Sequence, residues 1–183
     1  MGMLLAFAPF IVFAVLDRLV GSLWGLAAAT AVSAVLLLRD VLTPGKQPKI
    51  LEMGTFVLFG GLTVYLWLMG ASLSVIGVRV CVDAGLLLIV LASMALRTPF
   101  TLQYAKEQVP AELWNTPTFL HTNYVISGAW ALAFAVMVVA ELALIYMPQM
   151  PHRAGVIVIV IALVGAFKFT GWYPTRVRGS NAT

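Results

Sequence analysis

The chain has 183 residues, of which 62% are hydrophobic and only 10% are charged, and its formal net charge is +4. Soluble domains carry about 25% charged residues, so this composition excludes an ordinary water-soluble fold and indicates an integral membrane protein. The positive charge is scattered, without a basic run or a basic–aromatic groove, which argues against nucleic acid as a partner.

The first apolar segment, residues 3–16, would form a helix of about 21 Å, shorter than the roughly 30 Å hydrocarbon core. We expect it to span the membrane, because the basic residues then obey the positive-inside rule. The second segment, residues 19–38, carries Gly21, Gly25 and Ala29 at a spacing of four. Such small residues let another helix approach closely. We interpret this helix-packing face as a contact with the first segment, with a homodimer face as the alternative.

Four further apolar segments complete the chain. A polar connector with the turn signal Pro44-Gly45 precedes residues 54–72 and 73–96. The last two segments cover residues 124–146 and 155–173. The sequence therefore predicts an all-α, polytopic transmembrane helical bundle of about six spans, with a single domain over residues 1–183.

The basic residues indicate the orientation of this bundle. We assume six spans and a cytoplasmic N-terminus. The cytoplasmic side then receives Arg39, Lys46, Lys49, Arg97, Lys106, Arg176 and Arg178, and the outer side receives Arg18, Arg79 and Arg153. The positive-inside rule therefore predicts that both termini lie in the cytoplasm.

The longest polar interval covers residues 97–123 and lies on the cytoplasmic side in this topology. Thr98 could cap a helix whose first residue is Pro99. We predict an interfacial helix followed by an aromatic-rich loop on the membrane surface. Connections between helices usually have about 2–8 residues, which favours a docking role over a plain connector. The candidate interaction residues are Pro99, Phe100, Tyr104 and Trp114.

Four ionisable residues stand inside the predicted spans: Arg79, Asp83, Glu141 and Lys168. A charge in hydrocarbon costs about 2.5–3.5 kcal/mol on insertion scales, so each needs a partner or a role. We hypothesise that Arg79 bridges Asp83, one helical turn away, and Glu141 on the fifth span. Lys168 is expected to snorkel to the headgroups. The alternative places Asp83 and Glu141 in a proton or cation path.

Other chemistry has little support in the sequence. Cys81 is the only cysteine, which rules out an intrachain disulfide, and it is expected to be a packing residue. His121 and His152 fall on opposite sides of the membrane in the expected topology. We therefore expect no metal, no cofactor and no catalytic residues.

Four phrases, in chain order, suggest a family. They are FAPFIVF (Phe7–Phe13), GTFVLFGGLTVY (Gly54–Tyr65), RTPFTLQYAKEQVP (Arg97–Pro110) and AWALAF (Ala129–Phe134). With this layout the chain resembles a divergent member of the intracellular septation protein A family of bacterial inner-membrane proteins.

The resemblance implies a non-enzymatic protein of the bacterial inner membrane. It would serve cell-envelope maintenance or septation through contacts with other membrane proteins. Apart from the resemblance, the helix-packing face of the second segment leaves a homo-oligomer open. The alternative is a small secondary transporter or ion-conducting protein that uses Asp83 and Glu141. A membrane enzyme that acts on lipid is a third option.

Overall fold

The computed structural model describes residues 5–70, 74–147, 149 and 151–180. In these residues the chain forms seven α-helices and one short 3-10 helix, Ala111–Leu113, without a β-strand. The helices are α1 (Ala8–Leu19), α2 (Ser22–Leu42), α3 (Ile50–Met69), α4 (Val75–Ala95), α5 (Phe100–Lys106), α6 (Pro117–Tyr146) and α7 (His152–Ser180).

Among the described residues, five helices are long and apolar enough to cross a bilayer, namely α2, α3, α4, α6 and most of α7. The prediction of an all-α polytopic membrane protein is thereby confirmed. The first predicted span, residues 3–16, corresponds to the shorter helix α1, which has 12 residues, or about 18 Å of helix. Pro9 occupies the first turn of α1, where its missing N–H costs no hydrogen bond. Residues 3 and 4 of the predicted span lie outside the described residues.

The chain divides into two compact units, an N-terminal unit (Met1–Ile89) and a C-terminal unit (Val90–Thr183), with the boundary inside α4. In the N-terminal unit, α1 packs on α2 and α2 packs on α3. Its core is a cluster of buried apolar side chains: Phe13, Leu26, Ala29, Phe59, Leu66, Val78 and Val82. The prediction of one domain over the whole chain stays a prediction.

Small residues allow close helix contacts within the N-terminal unit. A Cβ atom at Gly25 would lie 2.9 Å from the backbone nitrogen of Asp17, so α1 crosses α2 directly over this glycine. Ala29 is buried in the same core. Gly21, however, precedes α2 and has a φ of 95°, so it forms the turn from α1 to α2. The predicted stripe therefore has to be corrected, because Gly21 does not share a helix face with Gly25 and Ala29.

Several helices extend beyond the apolar runs that predicted them. α2 continues to Leu42, α3 begins at Ile50 and α6 begins at Pro117. The added turns contain charged or polar residues, several of which form side-chain hydrogen bonds in the fold: Arg39, Asp40, Thr122 and Asn123. Gly70 does end α3, with a φ of 63° and an N–H that donates to the carbonyl of Leu66.

In the C-terminal unit, α5 packs on α6 and α6 packs on α7. The chain leaves α4 through a Schellman turn, in which Arg97 has a φ of 59°. The N–H of Arg97 donates to the carbonyl of Met94, and the N–H of Thr98 donates to the carbonyl of Ser93, both at 3.0 Å. This turn directs the chain into α5. The N-cap of α5 is Pro99, so the predicted cap at Thr98 is wrong.

Candidate functional site

The first buried charge cluster joins the end of α1 to α4. The Arg79 guanidinium donates to Oδ2 of Asp17 from Nε at 3.1 Å and from Nη2 at 2.5 Å. The hydroxyl of Ser22 donates to Oδ1 of the same carboxylate at 2.6 Å. Both oxygens of Asp17, whose side chain is fully buried, are therefore hydrogen-bonded. The cluster ties α1, the first residue of α2 and α4 together.

This geometry changes the predicted role of Arg79. The two hydrogen bonds from its guanidinium go to Asp17, so the hypothesis that Arg79 bridges Asp83 and Glu141 is corrected. The sequence predicted Asp83, one turn away, as the partner of Arg79. It could not indicate Asp17, because α1 and α4 are far apart in the chain. The only signal for Asp17 was an acidic residue at the end of an apolar run.

The second buried cluster surrounds Asp40 at the opposite end of α2. Lys49 donates to Oδ2 of Asp40, and Arg39 donates to Oδ1 from Nε at 3.0 Å and from Nη2 at 2.8 Å. Lys46 lies 3.9 Å from Oδ1 and keeps 40% of its side chain exposed. Lys49 also lies 3.7 Å from Oε1 of Glu52. Together these contacts fold the connector between α2 and α3 onto the helix ends.

Sequence analysis missed the Asp40 cluster. The pattern predicts only a polar connector, although acidic and basic residues lie close together in RDVLTPGKQPKILE, residues 39–52. The Pro44-Gly45 turn folds this segment back on itself, and Gly45 adopts a φ of 81°. An acid before a turn and two bases after it are the signal that could have indicated the cluster.

Asp83 and Glu141 are both buried in long apolar helices, with 8% and 3% of their surface exposed. Asp83 lies on α4 within the N-terminal unit, and Glu141 lies on α6 within the C-terminal unit. In the part of the chain that the structure describes, no hydrogen bond or ion pair reaches the Asp83 carboxyl. Asp83 therefore differs from Asp17 and Asp40, whose oxygens are hydrogen-bonded.

The polar stretch after α4 is folded into the C-terminal unit. Phe100 is 0% exposed, and Pro99 and Tyr104 are also buried. The hydroxyl of Thr101 donates to the carbonyl of Asn123 at 2.9 Å, which fixes α5 to α6. The predicted docking role of Pro99, Phe100 and Tyr104 is therefore corrected, because these side chains pack inside their own chain. The polar interval predicted over residues 97–123 is also too long at its C-terminal end, since α6 begins at Pro117.

Trp114 is the one predicted docking residue that remains half-exposed. Its indole N–H donates to the carbonyl of Val109 at 3.1 Å. The ammonium of Lys106 lies 5.3 Å from the centre of the indole ring, within range of a cation–π interaction. These contacts stabilise the turn after α5. Several neighbouring residues are exposed, including Gln108, Ala111, Glu112 and Leu113.

Comparisons with protein-family models, curated proteins and solved structures return no match for this chain. The geometry alone therefore indicates what the chain can do. Among the described residues, no group of three or more His, Cys, Asp and Glu side chains could hold a metal ion.

Three features carry chemical meaning. The Asp17 and Asp40 clusters are ion pairs that join helices. The folded stretch between α4 and α6 has a buried side and an exposed side. Asp83 is a buried carboxyl whose nearest basic residue on its own helix, Arg79, is bonded to Asp17.

Proposed function

We propose that this chain is a non-enzymatic integral protein of the bacterial inner membrane, which maintains the cell envelope or assists septation through contacts with other membrane proteins. The observation that supports this proposal is the folded stretch between α4 and α6. Its buried side is hydrogen-bonded to α6, and its exposed side presents polar and apolar residues together: Gln108, Ala111, Glu112 and Leu113.

A fixed surface of this kind suits binding. A flexible loop loses conformational entropy when it docks, at about 0.5–1.5 kcal/mol for each side chain that is immobilised. The hydrogen bonds of Thr101 and Trp114 already hold the backbone of the stretch before a partner arrives. Leu113 is 47% exposed beside the charged Glu112, a mixture typical of protein contact surfaces.

Photo-crosslinking in cells tests the docking surface. A photoreactive residue at Gln108 or Leu113 should give adducts with other membrane proteins, identified by mass spectrometry. The matched control is Val64, which is also exposed but lies within the apolar helix α3. The proposal fails if Gln108 and Leu113 give no more protein adducts than Val64.

The proposed topology places this surface in the cytoplasm, with both termini on the same side. It can be tested with a cysteine at Glu112 in a Cys81→Ser background. We expect a membrane-permeant thiol reagent to label this cysteine in intact cells, and an impermeant reagent to label it only after lysis. Labelling of intact cells by the impermeant reagent would reverse the orientation.

The second candidate function is transport, by a small secondary transporter or an ion-conducting protein. The observation that favours it is the burial of Asp83 and Glu141 in apolar helices. Reconstituted vesicles should then show a proton or cation flux that falls in the Glu141→Gln variant. A flux equal to that of empty vesicles would reject transport and leave the contact function in place.

A further inference from the structure

Asp83 stands near the middle of α4, between apolar neighbours in the chain. Val82 and Leu86 are each 2% exposed and pack in the apolar interior. Asp83 itself has 8% of its surface exposed, so it is a buried carboxyl between buried apolar positions of α4.

The charged groups on neighbouring elements of the unit are either paired with other residues or exposed. Arg79 lies one turn before Asp83 on α4 and bonds to Asp17 on α1. Glu52, the acid of α3, lies in the first turn of that helix beside Lys49. Arg18 on α1 is exposed. None of these groups forms an ion pair or hydrogen bond with Asp83 in the described part of the chain.

An ionised carboxylate without a partner is unfavourable in such a place. On insertion scales the cost is about 2.5–3.5 kcal/mol at the centre of a membrane helix. A bound proton removes the charge without any further ligand. A metal cation would need several oxygen ligands, and the flanking Val82 and Leu86 supply no side-chain oxygen. The surroundings of Asp83 therefore favour a proton over a metal ion.

We propose that Asp83 is a reversible proton-binding site within the membrane-spanning part of the protein. The carboxyl is neutral while it is enclosed by its apolar neighbours, and it releases the proton when water and base reach it. This role is independent of the contact surface between α4 and α6, so each can fail without the other. The other two buried aspartates differ from Asp83, because Asp17 forms an ion pair with Arg79 and Asp40 forms one with Lys49.

A hydrophobic carbodiimide distinguishes these carboxyls. A carboxylic acid adds across a carbon–nitrogen double bond of dicyclohexylcarbodiimide: its oxygen bonds to the central carbon, and its proton moves to nitrogen. The acyl group then shifts from oxygen to nitrogen and leaves a stable N-acylurea that retains the whole reagent. Only the protonated acid reacts in this way, so the adduct reports protonation at a single residue.

The experiment uses the full chain in lipid vesicles, with peptide mass spectrometry as the readout. We expect an adduct at Asp83, little at Asp17 or Asp40, and several-fold less labelling of Asp83 as the pH is raised. The Asp83→Asn variant should lose the adduct. Labelling that does not change with pH would overturn the proposal. Protection by Na⁺ at constant pH would also overturn it, because the site would then bind a metal cation.

Access of reagent to the site is controlled separately. An Asp83→Cys variant in a Cys81→Ser background should react with a membrane-permeant maleimide. If that cysteine reacts while Asp83 of the wild type takes up no carbodiimide, the proposal is overturned.

A stability measurement tests the proposed neutral state of Asp83 independently of carbodiimide labelling. Asn matches a neutral carboxyl in size and charge, so Asp83→Asn should melt within a few degrees of the wild type in detergent. Asp17→Asn should melt clearly lower, because it removes the ion pair with Arg79. If Asp83→Asn melts as low as Asp17→Asn, the Asp83 carboxylate is a structural charge and the proposal is wrong.

Discussion

The guanidinium of Arg79 lies 2.5 Å from the carboxylate of Asp17, although the two residues are 62 positions apart in the chain. The pair joins a helix of only 12 residues to a span of 21 residues. The Asp17 side chain is fully buried, and a buried carboxylate without a partner is costly. The ion pair therefore stabilises the packing of this short helix in the N-terminal unit.

Replacing Arg79 with Met should destabilise the protein. The change leaves Asp17 buried with Ser22 as its remaining partner, and loss of one member of a buried pair costs about 3–5 kcal/mol. Arg79 is partly exposed, which places the expected loss at the low end of that range. Thermal unfolding in detergent measures it. The matched control is Lys168→Met, because Lys168 is exposed. This variant should unfold at a temperature close to that of the wild type.

Exchanging the two charges provides a second control. Arg at position 17 should be as poorly tolerated as Asp at position 79, because each single change buries like charges together. The double variant, Asp17→Arg with Arg79→Asp, should recover part of the stability that the single variants lose. A double variant no more stable than the worse single one would contradict direct pairing of these residues.

The Asp40 cluster should control the connector between α2 and α3. Asp40→Asn removes the charge that Arg39 and Lys49 share, so we expect lower stability and faster cleavage of residues 43–49 by a protease. Lys46→Gln should have a small effect, since its ammonium is 3.9 Å from the carboxylate and exposed pairs contribute about 0.2–1 kcal/mol. Equal cleavage rates for the two variants would show that the Asp40 carboxylate does not hold the connector.

The spans could be predicted from the sequence because lipid requires long apolar runs. The ends of the helices could not, since Asp40 and Glu52 look like boundary residues until their ion pairs are visible. Phe100 and Tyr104 were misassigned for a related reason. An aromatic residue in a polar interval gives the same pattern whether it faces a partner or packs against its own chain.

The partner of Arg79 shows a different limit. Sequence spacing predicts contacts only between residues one helical turn apart on the same helix, so it indicated Asp83 as the partner of Arg79. Asp17 became available only through the packing of α1 on α2 and the close approach at Gly25. Long-range pairs of this kind depend on which helices are adjacent, and hydropathy carries no information about adjacency.

Arg97→Gly should stabilise the C-terminal unit. Arg97 adopts a φ of 59° at the end of α4, a conformation that costs an L-residue with a side chain about 1 kcal/mol and costs glycine little. The expected gain is a small rise in melting temperature. Gly70→Ala makes the reverse change at a φ of 63°, after α3, and should lower the melting temperature. Shifts of the same sign in both variants would contradict the backbone explanation.

Gly25→Ala should destabilise the N-terminal unit, even though alanine is the better helix former. The added Cβ atom would lie 2.9 Å from the backbone nitrogen of Asp17 and 3.3 Å from the ring of Phe13. A backbone atom cannot rotate away as a side chain can, so α1 must shift and carry Asp17 away from Arg79. We expect a clear fall in melting temperature.

Gly61→Ala is the matched control for this substitution, because a Cβ atom at Gly61 would meet nothing within 4 Å. It should be neutral or stabilising, by up to about 1 kcal/mol, since alanine replaces glycine inside a helix. The contrast separates packing from helix propensity. An effect of helix propensity would raise the melting temperature of both variants. Only a direct contact between α1 and α2 would lower the melting temperature of Gly25→Ala and leave that of Gly61→Ala unchanged or higher. If both variants unfold at the same temperature, α1 does not cross α2 at Gly25, and the Asp17–Arg79 pair would need another explanation.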